Sequence, residues 1–309
     1  VFNMKYVFGP VPSRRLGMSL GVDIVPFKTC TFDCIYCQLG LTTKKTIERA
    51  DFVPVDDVMA EIKDTIETSK RIDYITFSGS GEPTLNSKLG EMIRKVKAFT
   101  DIPIAVITNG SLLYRKDVRD DLMNADLVVP SIDAIFDKTF NKINRPHSDL
   151  NADMIIEGLR NFAKDFRGKI WLEILIVKGI NDDLSELRRI ADIIRDINID
   201  KIQLNTVVRP PAESFALPLT SEEMDQIANL FDDRVEIIAD FDKSPKNLAQ
   251  NGKSIEDRIV DLVKRRPCTA DDISNSISLH RIEVIKHLDH LLKAGHISQT
   301  TLNGKTYYK

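Results

Sequence analysis

The sequence predicts an α/β protein whose parallel strands wrap into a sheet or barrel with helices on the outside. Three observations predict it. Apolar runs alternate with amphipathic stretches six times in succession. The runs are near-continuous in Val, Ile and Leu, as strands buried on both faces require. Their carboxyl ends carry the polar and glycine-rich residues, the edge at which ligands bind in wound parallel folds.

In chain order the first unit pairs a strand over 20–27 ("LGVDIVPF") with a helix over 55–70. The second has a strand over 73–81 ("DYITFSGSG") and a helix over 87–99, the third a strand over 102–110 ("IPIAVITNG") and a helix over 115–124. Strand 126–134 ("DLVVPSIDA") leads to helix 151–166, strand 170–179 ("IWLEILIVKG") to helix 183–198, and strand 202–208 ("IQLNTVV") to helix 221–233. After residue 241 the composition shifts to "DKSPKNLAQNGK", rich in Pro, Asn, Lys and Gly, which predicts a linker over 242–253. The remaining stretch, 254–309, reads as a separate module. Ser254 caps a helix that stops before Pro267, Thr269 caps a second, and a longer amphipathic helix over 278–295 ends at Gly295. Two strands around an Asn303-Gly304 turn complete it. Three helices and a hairpin in that order predict a winged helix-turn-helix.

Composition narrows the class. With 42% hydrophobic and 29% charged residues in 309, the chain is of ordinary globular make-up, and a net charge of −3 advertises no nucleic-acid footprint for the whole molecule. The terminal module alone carries nine Lys/Arg against seven Asp/Glu and four of the five histidines. Arg281, Lys286, His287 and Lys293 on its third helix, with Lys305, Tyr307 and Tyr308 on the hairpin, suit either nucleic acid or a protein partner. No apolar run has the length of a membrane helix and no signal-peptide pattern is seen, so a soluble cytoplasmic protein without membrane partners is expected. Four cysteines, three of them clustered, predict reduced thiols rather than a disulfide framework.

The stretch "CTFDCIYC" places Cys30, Cys34 and Cys37 in one loop after the first predicted strand, alongside Thr29, Thr31 and Asp33. Thiolates at this density predict a shared metal centre. Buried structural cysteines and a zinc ion are the competing readings. A closed zinc site takes four ligands, and the fourth could come only from Cys268 or scattered histidines, whereas an iron-sulfur cubane with three protein ligands leaves one iron open.

Cys-x3-Cys-x-aromatic-Cys in such a loop, with Tyr36 as the aromatic, resembles the radical S-adenosylmethionine superfamily. The resemblance covers about residues 15 to 215 and implies a partial (β/α)6 barrel. It also implies a [4Fe-4S] cluster on Cys30, Cys34 and Cys37, with S-adenosylmethionine as second cofactor. In that family, reduction of the cluster by an external one-electron donor cleaves S-adenosylmethionine to methionine and a 5′-deoxyadenosyl radical, which takes a hydrogen atom from the substrate. "SGEP" (Ser80, Gly81, Glu82, Pro83) resembles the family's Gly-Gly-Glu-Pro, with Ser80 in place of the first glycine. "TNG" (Thr108, Asn109, Gly110) and "SID" (Ser131, Ile132, Asp133) resemble the ends of its third and fourth strands, which reach the ribose and the methionine carboxylate. Glu173, in a stretch similar to the glycyl-radical activating enzymes, stands where those often carry a basic residue. Leu204 and Asn205, on the sixth strand, fall near the adenine, as does Tyr36. Glycine turns are the plainer reading of each motif taken singly.

His147 is the candidate catalytic residue. Arg145 is a candidate anchor for an anionic substrate, and Lys178 and Arg209 are candidate rim residues. The resemblance is also to the tRNA wyosine-base synthases, whose second cysteine cluster Cys268 alone cannot supply. A one-cluster enzyme acting on RNA or protein, with the winged helix holding the macromolecule, is therefore expected. The alternative is an iron-sulfur redox sensor that regulates through the winged helix.

Overall fold

The computed structural model describes residues 5–239, 255–277, 279, 281–302 and 304–309. It opens with a hairpin, β1 (Val7–Ser13) and β2 (Gly17–Val22), followed by two-residue strands β3 (Thr29–Cys30) and β4 (Lys44–Lys45). Then come α1 (Val55–Thr68), β5 (Tyr74–Phe77), α2 (Leu89–Lys97), β6 (Ile104–Ile107), α3 (Lys116–Leu122), β7 (Leu127–Val129), α4 (Asp137–Ile143) and α5 (Ala152–Asp165). The series ends with β8 (Lys169–Ile176), α6 (Leu184–Arg195), β9 (Lys201–Thr206), α7 (Ser221–Ala228) and β10 (Val235–Ile237).

One sheet holds eight strands in the order β1-β2-β5-β6-β7-β8-β9-β10, with β1 antiparallel to β2 and every later pair parallel. The six expected strands are all in it. The first is shorter at its far end than expected, since the chain leaves the sheet after Val22 toward Pro26. Two outer strands were not anticipated. β10 lies in an apolar stretch that precedes the change in composition, and β1 reads "VFGPVPS", where two prolines and a glycine hide the strand and suit only an outer position. Helix α4 was also missed.

Strand alternation divides the side chains between two layers. Leu20, Val22, Ile75, Phe77, Val106, Val128, Leu172, Ile174, Ile202 and Leu204 form one core with the helices. Helix α2 supplies Leu89, Met92, Ile93 and Val96, and α6 supplies Leu187, Ile190 and Ile194, each set at helical spacing. On the opposite face Ala105, Leu127, Val129 and Trp171 form a second, small core with Leu16. Leu16 comes from the β1–β2 turn, so this turn reaches across the inner face of the barrel.

Beyond the expected linker, which lies outside the described residues, the chain forms α8 (Ile255–Arg265), β11 (Cys268–Thr269), α9 (Ala270–Ile277), α10 (Arg281–Lys293), β12 (Gln299–Leu302) and β13 (Lys305–Tyr308). The strands make a sheet in the order β11-β13-β12. Thr269 caps α9 as expected: its Oγ1 accepts from the Asp272 N–H at 3.1 Å, and Asp272 accepts from the Thr269 N–H at 2.9 Å. The caps expected at Ser254 and the turn residue Asn303 lie outside the described residues. This segment is not packed on itself alone. Val11 of β1 is part of its core, with Phe8 against it. The Tyr307 hydroxyl donates to the Val208 carbonyl at 2.8 Å, and Arg209 donates to the Pro267 carbonyl at 2.7 Å.

Phe77 is among the largest side chains with no exposure at all, at the junction of sheet and helices. Phe77→Ala should cost about 3–5 kcal/mol of unfolding free energy in a urea titration. A loss under 1 kcal/mol would mean that the site collapses around the cavity.

Candidate functional site

The three clustered cysteines lie in the loop between β2 and α1, and two ties fix it to the end of β5. The Lys28 N–H donates to the Ser80 carbonyl at 2.7 Å and the Glu82 N–H to the Thr29 carbonyl at 3.1 Å. Gly81 permits this contact, for a Cβ there would stand 1.9 Å from the Thr29 carbonyl oxygen. Lys28 itself holds a φ of 58°, in the left-handed region that side chains disfavour.

Each thiol faces a side-chain nitrogen donor. The Asn109 amide lies 3.6 Å from Cys30 Sγ, the Asn144 amide 3.5 Å from Cys34 Sγ, and Lys28 Nζ 3.2 Å from Cys37 Sγ. Burial first, then the charge of Glu82, pushes the Cys30 thiol up to about 12. Burial and Asp133 likewise push Cys34 well above its ordinary value. At Cys30 and Cys34 a bound cation would replace the proton, and the Asn109 and Asn144 amides would then face thiolates. Among the described residues no three His, Cys, Asp or Glu side chains close on a point that a single ion could fill. Three thiols are a soft donor set.

Glu82, 2% exposed, accepts from the Thr84 N–H and hydroxyl, the Thr108 hydroxyl and the Asn109 N–H at 2.6–3.1 Å. Burial raises its pKa despite these donors. Asn109 in turn donates to Thr31 Oγ1 at 2.7 Å, beside Cys30. Asp133 accepts from the Tyr36 hydroxyl at 2.5 Å, the Asn144 amide at 2.7 Å and the Leu175 N–H at 2.9 Å. Burial nonetheless lifts its pKa to about 6. Ser80 donates to Asp23 at 2.5 Å, and Arg265 of α8 donates to the same oxygen at 2.5 Å. Ser131 pairs through its backbone with Glu173.

Glu173 is held by a residue the sequence reading missed. Both its oxygens accept from Arg15, at 3.0 and 3.2 Å, and one from the Asn205 amide at 2.7 Å. Arg15 belongs to the turn that carries Leu16 across the barrel. Burial would raise the Glu173 carboxyl, but the charge and hydrogen bonds of Arg15 outweigh it and hold it below the ordinary value. The acid found where a base was looked for is thus neutralised from the β1–β2 turn. Arg14, beside it, donates to Asn205 Oδ1 at 3.1 Å.

Other candidates are placed elsewhere. The Leu204 side chain points into the helix-covered core, because Gln203 and Asn205 take the inner face. The His147 ring accepts from the Asp149 N–H at 3.3 Å, and the His147 N–H donates to the Thr31 carbonyl of the cysteine loop at 2.8 Å. Arg145 is paired with Glu213 at 2.6 Å and Lys178 with Glu223 at 2.8 Å, so neither is an open anchor for an anion. Cys268 is buried in the C-terminal core, apart from the other three.

A wound parallel sheet whose strand ends gather three thiols, each met by an N–H donor, beside buried carboxylates presents the donor set that a thiolate-ligated cofactor requires. Residues 24–206 match the family described as the radical SAM superfamily, and the chain belongs to it. A protein named GTPase Obg from Brachyspira hyodysenteriae is 40% identical over 98% of this chain, which spans only 45% of that relative's length. A UPF0026 protein of Methanocaldococcus jannaschii is 34% identical, with 99% of this chain and 96% of its own covered. The solved structure of TYW1 with a lysine-pyruvate adduct bound has a TM-score of 0.52 at 17% identity, over 72% of this chain and 74% of that one, which shows a shared fold.

Two outcomes follow from the geometry. Arg15→Met leaves a buried carboxylate unpaired and should cost about 3–5 kcal/mol at pH 7. In wild type the depressed Glu173 pKa contributes stability above the unfolded value that is lost as pH falls through the folded one. In the variant Glu173 protonates readily, so the deficit in urea titrations should shrink as pH falls from 7 toward 4.5. Gly81→Ala should displace the Thr29 carbonyl and with it Cys30, costing about 1–3 kcal/mol and lowering the iron bound per chain.

Proposed function

We propose that this chain is a one-cluster radical S-adenosylmethionine enzyme in which Cys30, Cys34 and Cys37 hold a [4Fe-4S] cluster. The observation that carries the reading is the pairing of each thiol with its own N–H donor, from Asn109, Asn144 and Lys28. When bound, the cluster would pass an electron from an external donor to S-adenosylmethionine and so release a 5′-deoxyadenosyl radical that takes hydrogen from the substrate.

The chain's own residues prepare the place. The Asn109, Asn144 and Lys28 donors spread negative charge away from the thiolates, and the lysine adds a positive charge beside Cys37. Glu82 acts from behind, since its oxygens are engaged by Thr84, Thr108 and the Asn109 backbone. It thereby fixes the ends of β5 and β6 next to the cysteine loop. Ser80, Gly81, Asn109, Ser131, Asp133, Glu173 and Asn205 are the residues nearest at hand for S-adenosylmethionine, with Tyr36 positioned by Asp133. His147, tied by its N–H to the Thr31 carbonyl beside Cys30, is the candidate catalytic group.

The substrate in this reading is an RNA or a protein. Residues 254–309 serve as a winged helix-turn-helix that holds it, so that binding energy gained away from the reacting atom positions that atom. No helix among the described residues is long and apolar enough to cross a membrane.

Anaerobic reconstitution should give four irons per chain. The Cys30→Ala, Cys34→Ala and Cys37→Ala variants should each lose the cluster, while Cys268→Ala keeps it. Dithionite and S-adenosylmethionine should then yield 5′-deoxyadenosine without substrate. Full iron content in Cys34→Ala would refute the ligand assignment. An intact, reducible cluster that never cleaves S-adenosylmethionine would make the chain a cluster-bearing sensor, a reading to which the Arg265–Asp23–Ser80 link between α8 and the end of β5 lends itself.

A further inference from the structure

We propose that Arg14, Arg209 and Arg266 form a phosphate-binding subsite where the inner face of the barrel meets the C-terminal segment. Calling its ligand part of the substrate rests on the function proposed above; the subsite itself does not.

Three segments bring the guanidinium groups together. Arg14, in the β1–β2 turn, donates to the Asn205 side chain at the end of β9 and to the Ile238 carbonyl at 3.3 Å. Arg209 follows four residues after Asn205 and reaches the Pro267 carbonyl at 2.7 Å, which places it beside Arg266. The Tyr307 hydroxyl holds the Val208 carbonyl at 2.8 Å, so the chain carrying Arg209 is pinned from two sides. The mutual repulsion is felt. Desolvation, then the charge of Arg209, brings Arg14 down to about 10, and the same two causes in the same order lower Arg266. Arg14 is open to solvent even so, and Arg209 and Arg266 are half-buried, so a solute can reach them.

Two of the three nearby carboxylates are spent elsewhere. Glu173 takes Arg15, and Glu236 takes Lys201 at 2.9 Å and the Gln203 amide at 2.7 Å. Asp272 accepts from the Thr269 N–H, and although burial opposes it, the charge of Arg209 and then of Arg266 helps hold its carboxyl below the ordinary value, so it offsets part of their charge. Among the described residues none forms an ion pair with Arg14, Arg209 or Arg266. Five cations, Arg14, Arg15, Lys201, Arg209 and Arg266, therefore stand against three anions. Crowding cations without partners is costly, and a ligand that neutralises them recovers that cost. A carboxylate satisfies one fork. A phosphate, with up to two charges and several acceptor oxygens, matches three.

The test titrates the anaerobically reconstituted full chain with inorganic pyrophosphate at constant ionic strength, with citrate as the carboxylate control, by calorimetry. Saturable pyrophosphate binding is expected, weakened about tenfold by Arg14→Gln, Arg209→Gln or Arg266→Gln and unchanged by Arg195→Gln on α6. Reductive S-adenosylmethionine cleavage by the Arg209→Gln and Arg266→Gln variants should stay at the wild-type level. Where a Gln variant melts early, the Lys variant, which keeps charge but not the fork, should bind pyrophosphate with intermediate strength. A nucleoside triphosphate and a short single-stranded RNA serve as competitors, and displacement by either supports the subsite and tells the source of the phosphate. No saturable binding, equal binding by all variants, citrate binding as tight as pyrophosphate, or displacement by neither competitor would overturn it. Arginine-dependent pyrophosphate binding in a protein that never cleaves S-adenosylmethionine would retain the subsite and discard the radical function.

Discussion

The arrangement of this site depends on one buried carboxylate. Glu82 gathers donors from the turn after β5 and from the end of β6, and its own N–H ties that turn to Thr29 of the cysteine loop. A carboxylate this deeply buried is tolerable only because both its oxygens accept hydrogen bonds. Without it, the Asn109 backbone would lose its anchor, and the amide that faces Cys30 and Thr31 would lose its aim. The strands supply a rigid frame, but the charge at Glu82 sets how two strand ends and a loop meet.

How much of this could be read from the sequence follows from the range of the interactions involved. The six parallel strands were legible because apolar alternation is a local signal. The cysteine loop and the rim motifs were legible because their residues are close in sequence. What escaped was long-range. Arg15 meets Glu173 across 158 positions and Asn144 meets Cys34 across 110, and no local pattern marks either pair. Lys28 was hidden by its unusual backbone conformation, which turns a residue adjoining the motif back onto Cys37. Leu204 was a matter of phase: with Gln203 and Asn205 facing inward, period two sends it outward, and the sequence contained that information.

The C-terminal segment illustrates the limit of composition as a guide. A change in residue type marks a break in the chain, and a compact module was a fair expectation from it. Yet its hydrophobic cluster takes in Val11 from the first strand, and Arg265 of α8 shares the Asp23 oxygen with Ser80. Packing there couples the segment to the β1–β2 hairpin and, through one carboxylate, to the end of β5. Energetically it is part of the barrel's outer wall.

Strand β1 bears on a different problem, that of keeping an open sheet from growing. An outermost strand offers unpaired backbone groups to any extended chain that approaches it. Here two prolines, Pro10 and Pro12, remove donors, and the register with β2 slips between Phe8 and Val11. Phe8 and Val11 themselves lie under the helices that follow the barrel. The strand is thus made a poor template for pairing with a second molecule, and its defence against aggregation is written partly into its own sequence and partly into residues some 250 positions downstream.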